Sequence, residues 1–154
     1  MKKIIILLLL IATDLITKRI AAHFLYPNGS FTLIEGFFRL RYVENTGAAF
    51  GMFAGNRLFL LVVSGAIMSF LIYFLITLPK EKPHSYMKLP LIFILAGALG
   101  NFIDRLIFSY VIDFLEFTFV NFAVFNVADI FITCGAIVWL YLSIFVVKEK
   151  KNEN

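Results

Sequence analysis

Two short stretches put carboxylates where carboxylates are costly. Val111-Ile112-Asp113-Phe114 and Asn126-Val127-Ala128-Asp129 set Asp113 and Asp129 among aliphatic and aromatic residues, and the apolar run around Asp129 continues to residue 147. An isolated ionised carboxylate in such surroundings is strongly disfavoured. Two that approach each other can share one proton, because the charge of one raises the pKa of the other. A singly protonated aspartate pair can activate water. Asp14 can pair with Lys18 at i,i+4, and Asp104 has Arg105 beside it, whereas Asp113 and Asp129 have no basic neighbour in sequence. On the residues alone, three readings stand: a catalytic pair, a proton-coupled transport path, and a purely structural polar network.

Other catalytic chemistries fit less well. There is no Gly-x-Ser-x-Gly elbow, no His beside a candidate nucleophile, and no His/Cys cluster with metal-ligand spacing. A Ser–Lys dyad from Lys18 with Ser64 or Ser69 is conceivable but not favoured by their heights along their helices. Cys134, the sole cysteine, lies in an apolar helix; it excludes a disulfide framework and reads as a small core residue.

The elements that must position these groups are membrane elements. Of 154 residues, 61% are hydrophobic and 19 are Phe, against about 45–50% apolar in ordinary soluble domains. The net charge of +4 comes without a basic patch interleaved with stacking aromatics, so nucleic acid is not an expected partner. Lys2-Lys3 and the apolar residues after them resemble a signal peptide. The Asp14/Lys18 pair and the apolar pattern resuming through Ile20, Ala21 and Ala22 argue instead for an uncleaved first helix. The expected architecture is one α-helical integral membrane domain over residues 1–154, with four transmembrane helices at about 4–22, 58–78, 89–107 and 126–147. An uncharged stretch of about 20 residues spans a bilayer of about 30 Å.

Between the first two spans the period changes. Tyr26-Pro27-Asn28-Gly29-Ser30 is a turn signal. Phe38, Leu40 and Tyr42 alternate with Arg39, Arg41 and Val43 as in a half-buried strand. Phe31-Thr32-Leu33-Ile34 is its expected partner across a turn at Glu35-Gly36. This small sheet within the strand-rich loop 30–45 must rest at the interface, since bare edges are not tolerated in lipid; its arginines should face water or phosphates. Val43-Glu44-Asn45-Thr46-Gly47-Ala48-Ala49-Phe50-Gly51 is small and polar, a backbone that a peptide can approach. In the third span Ala96, Gly97, Ala98 and Gly100 permit close helix packing, and Asn101, Asp104 and Arg105 share one face near its end. Residues 108–125, rich in Phe, read as an interfacial loop.

Eight of the nine lysines, all but Lys18, fall in the N-terminus, the connector at residues 79–88 and the C-terminal tail. The positive-inside rule makes those segments cytoplasmic, with both termini on that side. Asp14, Asn45, Asn101, Asp104, Arg105, Asp113, Asn126 and Asp129 then gather in the outer half. A transporter would carry polar residues through the full depth, whereas the inner halves of the last three spans hold little beyond Thr77 and Ser143. A non-catalytic binder of lipidated peptides is the other alternative, and its binding would survive loss of either aspartate.

Five segments in order resemble the lipoprotein signal peptidases (signal peptidase II): Asp14-Leu15-Ile16-Thr17-Lys18, Asn45-Thr46-Gly47-Ala48-Ala49-Phe50-Gly51, Gly97-Ala98-Leu99-Gly100-Asn101-Phe102-Ile103-Asp104-Arg105, Val111-Ile112-Asp113-Phe114 and Phe125-Asn126-Val127-Ala128-Asp129. Together they run the length of the chain. The resemblance implies an aspartic endopeptidase that cleaves prolipoproteins on the amino side of a diacylglyceryl-modified cysteine. It makes Asp113 and Asp129 the catalytic dyad and places Asp14, Lys18, Asn45, Gly47, Asn101, Asp104, Arg105, Asn126 and Ala128 in the supporting and substrate-binding shell. It further implies an extracytoplasmic β-sheet cradle, no metal or cofactor, inhibition by the cyclic peptide globomycin, contact with membrane lipids, a monomer, and residence in the bacterial cytoplasmic membrane with the site near the outer face. The family usually has Ser or Thr after the last aspartate; here Ile130 stands instead.

Overall fold

The structure is a computed structural model of the chain and describes residues 1–27 and 29–147. The middle of the expected turn, Asn28, and the charged C-terminal tail lie outside the described residues. Helix α1 spans Lys2–Leu25; strands β1 (Ser30–Ile34) and β2 (Phe38–Asn45) follow; then come helices α2 (Arg57–Thr77) and α3 (Lys88–Phe108), strand β3 (Val111–Phe117) and helix α4 (Val127–Tyr141), which runs on as a π-helical turn over Leu142–Val147.

Three helices, Arg57–Thr77, His84–Phe108 and Val127–Val146, are long and apolar enough to cross a membrane. At 24 residues α1 has the length, but Asp14, Lys18 and Arg19 interrupt its apolar character. The molecule is turned inside out relative to a soluble domain. Leu58, Val62, Phe70, Ile76, Ile137 and Leu140 are exposed, while the largest fully buried side chains include Lys18, Asp14, Asp104 and Asn126. That distribution suits lipid as the surrounding solvent.

The hairpin β1–β2 turns where its sequence places it, with Gly36 in the left-handed region at φ 70°. The sheet gains a third strand that the sequence reading had as an interfacial loop. β3 pairs antiparallel with β2, Asp113 opposite Val43 and Glu116 opposite Arg39, giving the order β1-β2-β3. Its first four residues are buried on both faces, so no two-residue alternation marks it. The strand arginines, expected toward water or phosphates, stay partly exposed and also meet an acid. Arg39 pairs with Glu116 across the strands, and Arg41 lies 3.4 Å from the same carboxylate. The Glu116 carboxyl is accordingly held below its ordinary pKa, first by the Arg39 hydrogen bond. The sheet packs on the end of α1, where Ile112 and Phe114 join Ala21 and Leu25 in a core.

Candidate active site

The start of α4 is fixed by a capping box. Asn126 Oδ1 accepts from the Asp129 N–H at 3.1 Å, and Asp129 Oδ2 accepts from the Asn126 N–H at 3.1 Å, satisfying two donors that a helix start leaves unpaired. The same Asn126 amide reaches sideways: its Nδ2 donates to Asp113 Oδ1 at 2.6 Å. One asparagine therefore touches both carboxylates, one on β3 and one on α4. Asn45, the last residue of β2, donates from Nδ2 to Asp113 Oδ2 at 2.9 Å. Asn101 of α3 donates from Nδ2 to Asp129 Oδ1 at 2.9 Å. All four carboxylate oxygens thus accept from an N–H, and none of those donors carries a charge.

Asp113 is 3% exposed, and burial pushes its carboxyl up to about 6. The Asn45 hydrogen bond opposes the shift, the nearby Asp129 charge adds to it, and the Asn126 hydrogen bond opposes it again. A carboxylic acid that keeps its proton near pH 6 beside a second carboxylate is equipped for general acid–base work.

Behind the asparagines lies a buried ionic knot. Lys18 Nζ stands 2.8 Å from Asp14 Oδ2, 3.1 Å from Asp104 Oδ2 and 2.8 Å from Asn101 Oδ1. The ammonium donates a hydrogen bond to Asn101 Oδ1 and ion-pairs with the two carboxylates. Arg19 adds a bond to Asp104 Oδ1 at 2.8 Å and places its guanidinium over the Phe108 ring. Asp14 Oδ1 accepts from the Ala128 N–H at 2.9 Å, so α1, α3 and the first turn of α4 are bound through one cluster. Because Lys18 and Asn126 Nδ2 both donate to Asn101 Oδ1, the opposite end of that amide, its Nδ2, is the end directed at Asp129. Gly97 and Gly100 let the helices come this close: a Cβ on Gly100 would collide with the Asp14 carboxylate, and one on Gly97 with the Ala128 carbonyl.

The structure brings every expected site residue into this assembly, with two adjustments of role. Asp104 does not partner Arg105. It turns to Lys18 and Arg19, while Arg105 Nη2 donates to the Gly47 carbonyl at 2.8 Å, as follows from adjacent residues diverging around a helix. Gly47 in turn donates its N–H to Asn45 Oδ1 at 2.9 Å, and a side chain there would strike the backbone of Gly51 and Met52. Cys134 is exposed rather than in the core. Ser64 and Ser69 hydrogen-bond carbonyls of their own helix, which leaves no Ser–Lys dyad. Sequence reasoning missed Arg19 and also Arg57, whose guanidinium donates to the carbonyls of Arg105 and Leu106 at 3.0 and 2.6 Å and so closes the end of α3. A basic residue has little local pattern to announce such a distant cap.

The two carboxylates, Asn45, Asn101 and Arg105 line one wall of a cavity of about 710 Å³ whose other walls are apolar, among them Phe38, Phe117, Phe122 and Phe125. Fold and site together define an integral membrane protein whose polar interior opens, at the sheet end, into an apolar cavity beside two carboxylates. A family model described as signal peptidase (SPase) II matches residues 6–145. The chain belongs to that family and is a bacterial integral membrane peptidase. It is 47% identical over 142 residues to the lipoprotein signal peptidase of Caldanaerobacter subterraneus subsp. tengcongensis, covering 92% of this chain and 95% of that one. It is 44% identical over 142 residues to the lipoprotein signal peptidase of Gloeothece citriformis, covering 92% and 87%. Two solved bacterial membrane enzymes, determined by the in meso method at 2.3 and 1.9 Å, superpose with TM-scores of 0.85 and 0.83. Both are 30% identical in sequence, covering 99% and 95% of this chain and 92% and 94% of theirs.

Proposed function

We propose that this protein removes signal peptides from diacylglyceryl-modified prolipoproteins, cleaving on the amino side of the lipidated cysteine with Asp113 and Asp129 as a water-activating dyad. The observation that carries the proposal is the bridge through Asn126, which holds both carboxylates at the wall of an apolar cavity. We assign Asp113, buried and pushed up to about 6, as the proton donor and Asp129 as the base. The Asp129 carboxylate takes a proton from water as the water oxygen attacks the scissile carbonyl carbon. Asp113 donates to the carbonyl oxygen, stabilising the tetrahedral intermediate. The C–N bond then breaks as Asp129 passes the water's proton to the leaving cysteine nitrogen and Asp113 takes back the proton on the former carbonyl oxygen, releasing a peptide carboxylic acid and a free amine. Asn45, Asn101 and Asn126 hold the acids, and Arg105 keeps the Gly47 loop against the site.

In this reading α1 is a fourth span, its Asp14 and Lys18 turned inward while Ile4, Leu8, Ile16 and Ile20 face outward. Both termini are cytoplasmic and the sheet lies on the outer surface of the cytoplasmic membrane. The enzyme works as a monomer, needs no metal or cofactor, and is blocked by globomycin. Cleavage of a diacylglyceryl-modified lipobox peptide is the test, with Asp113→Asn and Asp129→Asn purified alongside. Globomycin-sensitive cleavage before the lipidated cysteine, lost in both variants while they still fold and insert, is expected. Turnover retained by either variant removes the dyad.

A further inference from the structure

The cavity beside the carboxylates runs down along α4 as far as Cys134, and a second cavity of about 340 Å³ begins at the same residue. It is a slot between α3 and α4, walled by Leu89, Pro90 and Phe93 on one side and Gly135 and Val138 on the other, and it ends at Tyr86 and Leu142. A Cβ on Gly135 would come within 2.8 Å of the Pro90 carbonyl oxygen, so the missing side chain lets the two helices close along the slot. Its rim faces outward, with Leu89 and Val138 about half exposed. At the closed end the Lys82 ammonium sits over the Tyr86 ring.

Three properties decide what such a slot takes. Its lining is apolar. It shares Cys134 as a wall residue with the cavity that holds the two carboxylates. It is also small: about 340 Å³ is less than one turn of a helix with side chains, about 10–12 Å across with a 5.4 Å pitch, would fill. An extended hydrocarbon chain fits. From Asp129 to Leu142 is 13 residues, about 20 Å of helix at 1.5 Å per residue. With C–C bonds of about 1.5 Å, each carbon of a zigzag chain advances about 1.25 Å, so a chain of about 16 carbons reaches Leu142 and one of about 8 stops near the slot's entrance.

We propose that this slot seats the far half of one acyl chain of the substrate's diacylglyceryl group, so that the enzyme reads the length of that chain. The inference rests on the cleavage reaction proposed above. Lipid tails are as apolar as the slot, so the preference comes from packing rather than from escape from water, and it should be moderate.

The test uses the full-length enzyme in lipid nanodiscs and lipobox peptides whose S-diacylglyceryl chains have 8, 12 or 16 carbons. For the wild type, KM should fall about tenfold from the shortest to the longest chain, with kcat steady. Val138→Trp and Leu89→Trp, which fill the slot from opposite walls at half-exposed positions, should each bring the 16-carbon KM up to the 8-carbon value and leave the 8-carbon substrate unaffected. Ile137→Trp, exposed on α4 but outside the slot, should behave as wild type. A wild-type KM indifferent to chain length, or a chain-length gradient preserved in both slot variants, overturns the inference while leaving the proposed reaction standing; absence of cleavage for every chain length is instead a failure of that reaction. In a second arm, a diazirine at the end of the 16-carbon chain should label residues 89–93 or 134–142. Equal labelling by a phospholipid bearing the same diazirine, undiminished by added substrate, would make the slot a site for bulk lipid and also overturn the inference.

Discussion

Replacing Lys18 by Met tests the buried ionic knot directly. The substitution keeps the length and apolar stem of the side chain and removes only the ammonium. Asp104 would retain Arg19 at 2.8 Å, but Asp14 would retain only the Ala128 N–H at 2.9 Å, and both carboxylates are fully buried. Removing one member of a buried ion pair costs about 3–5 kcal/mol, because the partner's charge is left uncompensated. In a chain of this size each kcal/mol moves the midpoint about 2–4 °C, so the apparent Tm should fall by about 6–20 °C. Melting in detergent, followed through the fluorescence of the single tryptophan, Trp139, measures it. Adding Asp14→Asn to Lys18→Met neutralises the stranded carboxylate and should recover at least half of the loss, a coupling that a double-mutant cycle isolates. A Lys18→Met enzyme melting within about 2 °C of wild type, or a double variant less stable than the single one, would refute the reasoning that charge compensation holds α1, α3 and α4 together.

With Asp113 pushed up to about 6 and, in the proposed reaction, needed in its acid form, kcat/KM should fall as pH rises through about 6, and a profile flat from pH 5 to 8 would remove Asp113 as the proton donor. Stability follows the same sign: a carboxyl raised from its ordinary 3.8 contributes stability that is complete below that value and lost as pH climbs through about 6, readable as a falling apparent Tm. Gly100→Ala sets a methyl against the Asp14 carboxylate and should lower stability by about 1–3 kcal/mol; Gly65→Ala, whose Cβ meets nothing within 4 Å, should not lower it, and equal melting of the two would contradict the packing described. Ile130→Thr should leave kcat/KM within about threefold, under about 0.7 kcal/mol, because Ile130 is exposed and the Asp129 oxygens already have partners in Asn101 and Asn126.

Much of this site was legible because its chemistry is anomalous for its surroundings. A carboxylate in an apolar helix needs a partner, and the i,i+4 spacing of Asp14 and Lys18 named one correctly. The hairpin was legible from its two-residue alternation and its turn at Gly36. What escaped was information that local pattern does not hold. β3 is buried on both faces and so shows no alternation. Asp104 and Arg105 are neighbours in sequence, but their directions diverge around the helix, and each reaches a partner more than 50 residues away. Cys134 was assigned to the core because a helix apolar all round does not distinguish the side that meets lipid from the side that meets protein. Asn126 was expected in the polar shell, but its double role as helix cap and bridge required the positions of both carboxylates.

The bond from Ala128 to Asp14 joins residues 114 positions apart, and that separation has a meaning in time. At about 5–20 residues per second, ribosomes need on the order of ten seconds between making the acceptor and making its donor. During that interval α1 must wait without α4 or the asparagines. Its Asp14 and Lys18 lie one helical turn apart and can neutralise each other within the nascent segment, so neither of these two charges is left uncompensated. The pair therefore acts first as a self-contained chaperone for its own helix, and the arrival of the last span converts it into the keystone of the finished enzyme.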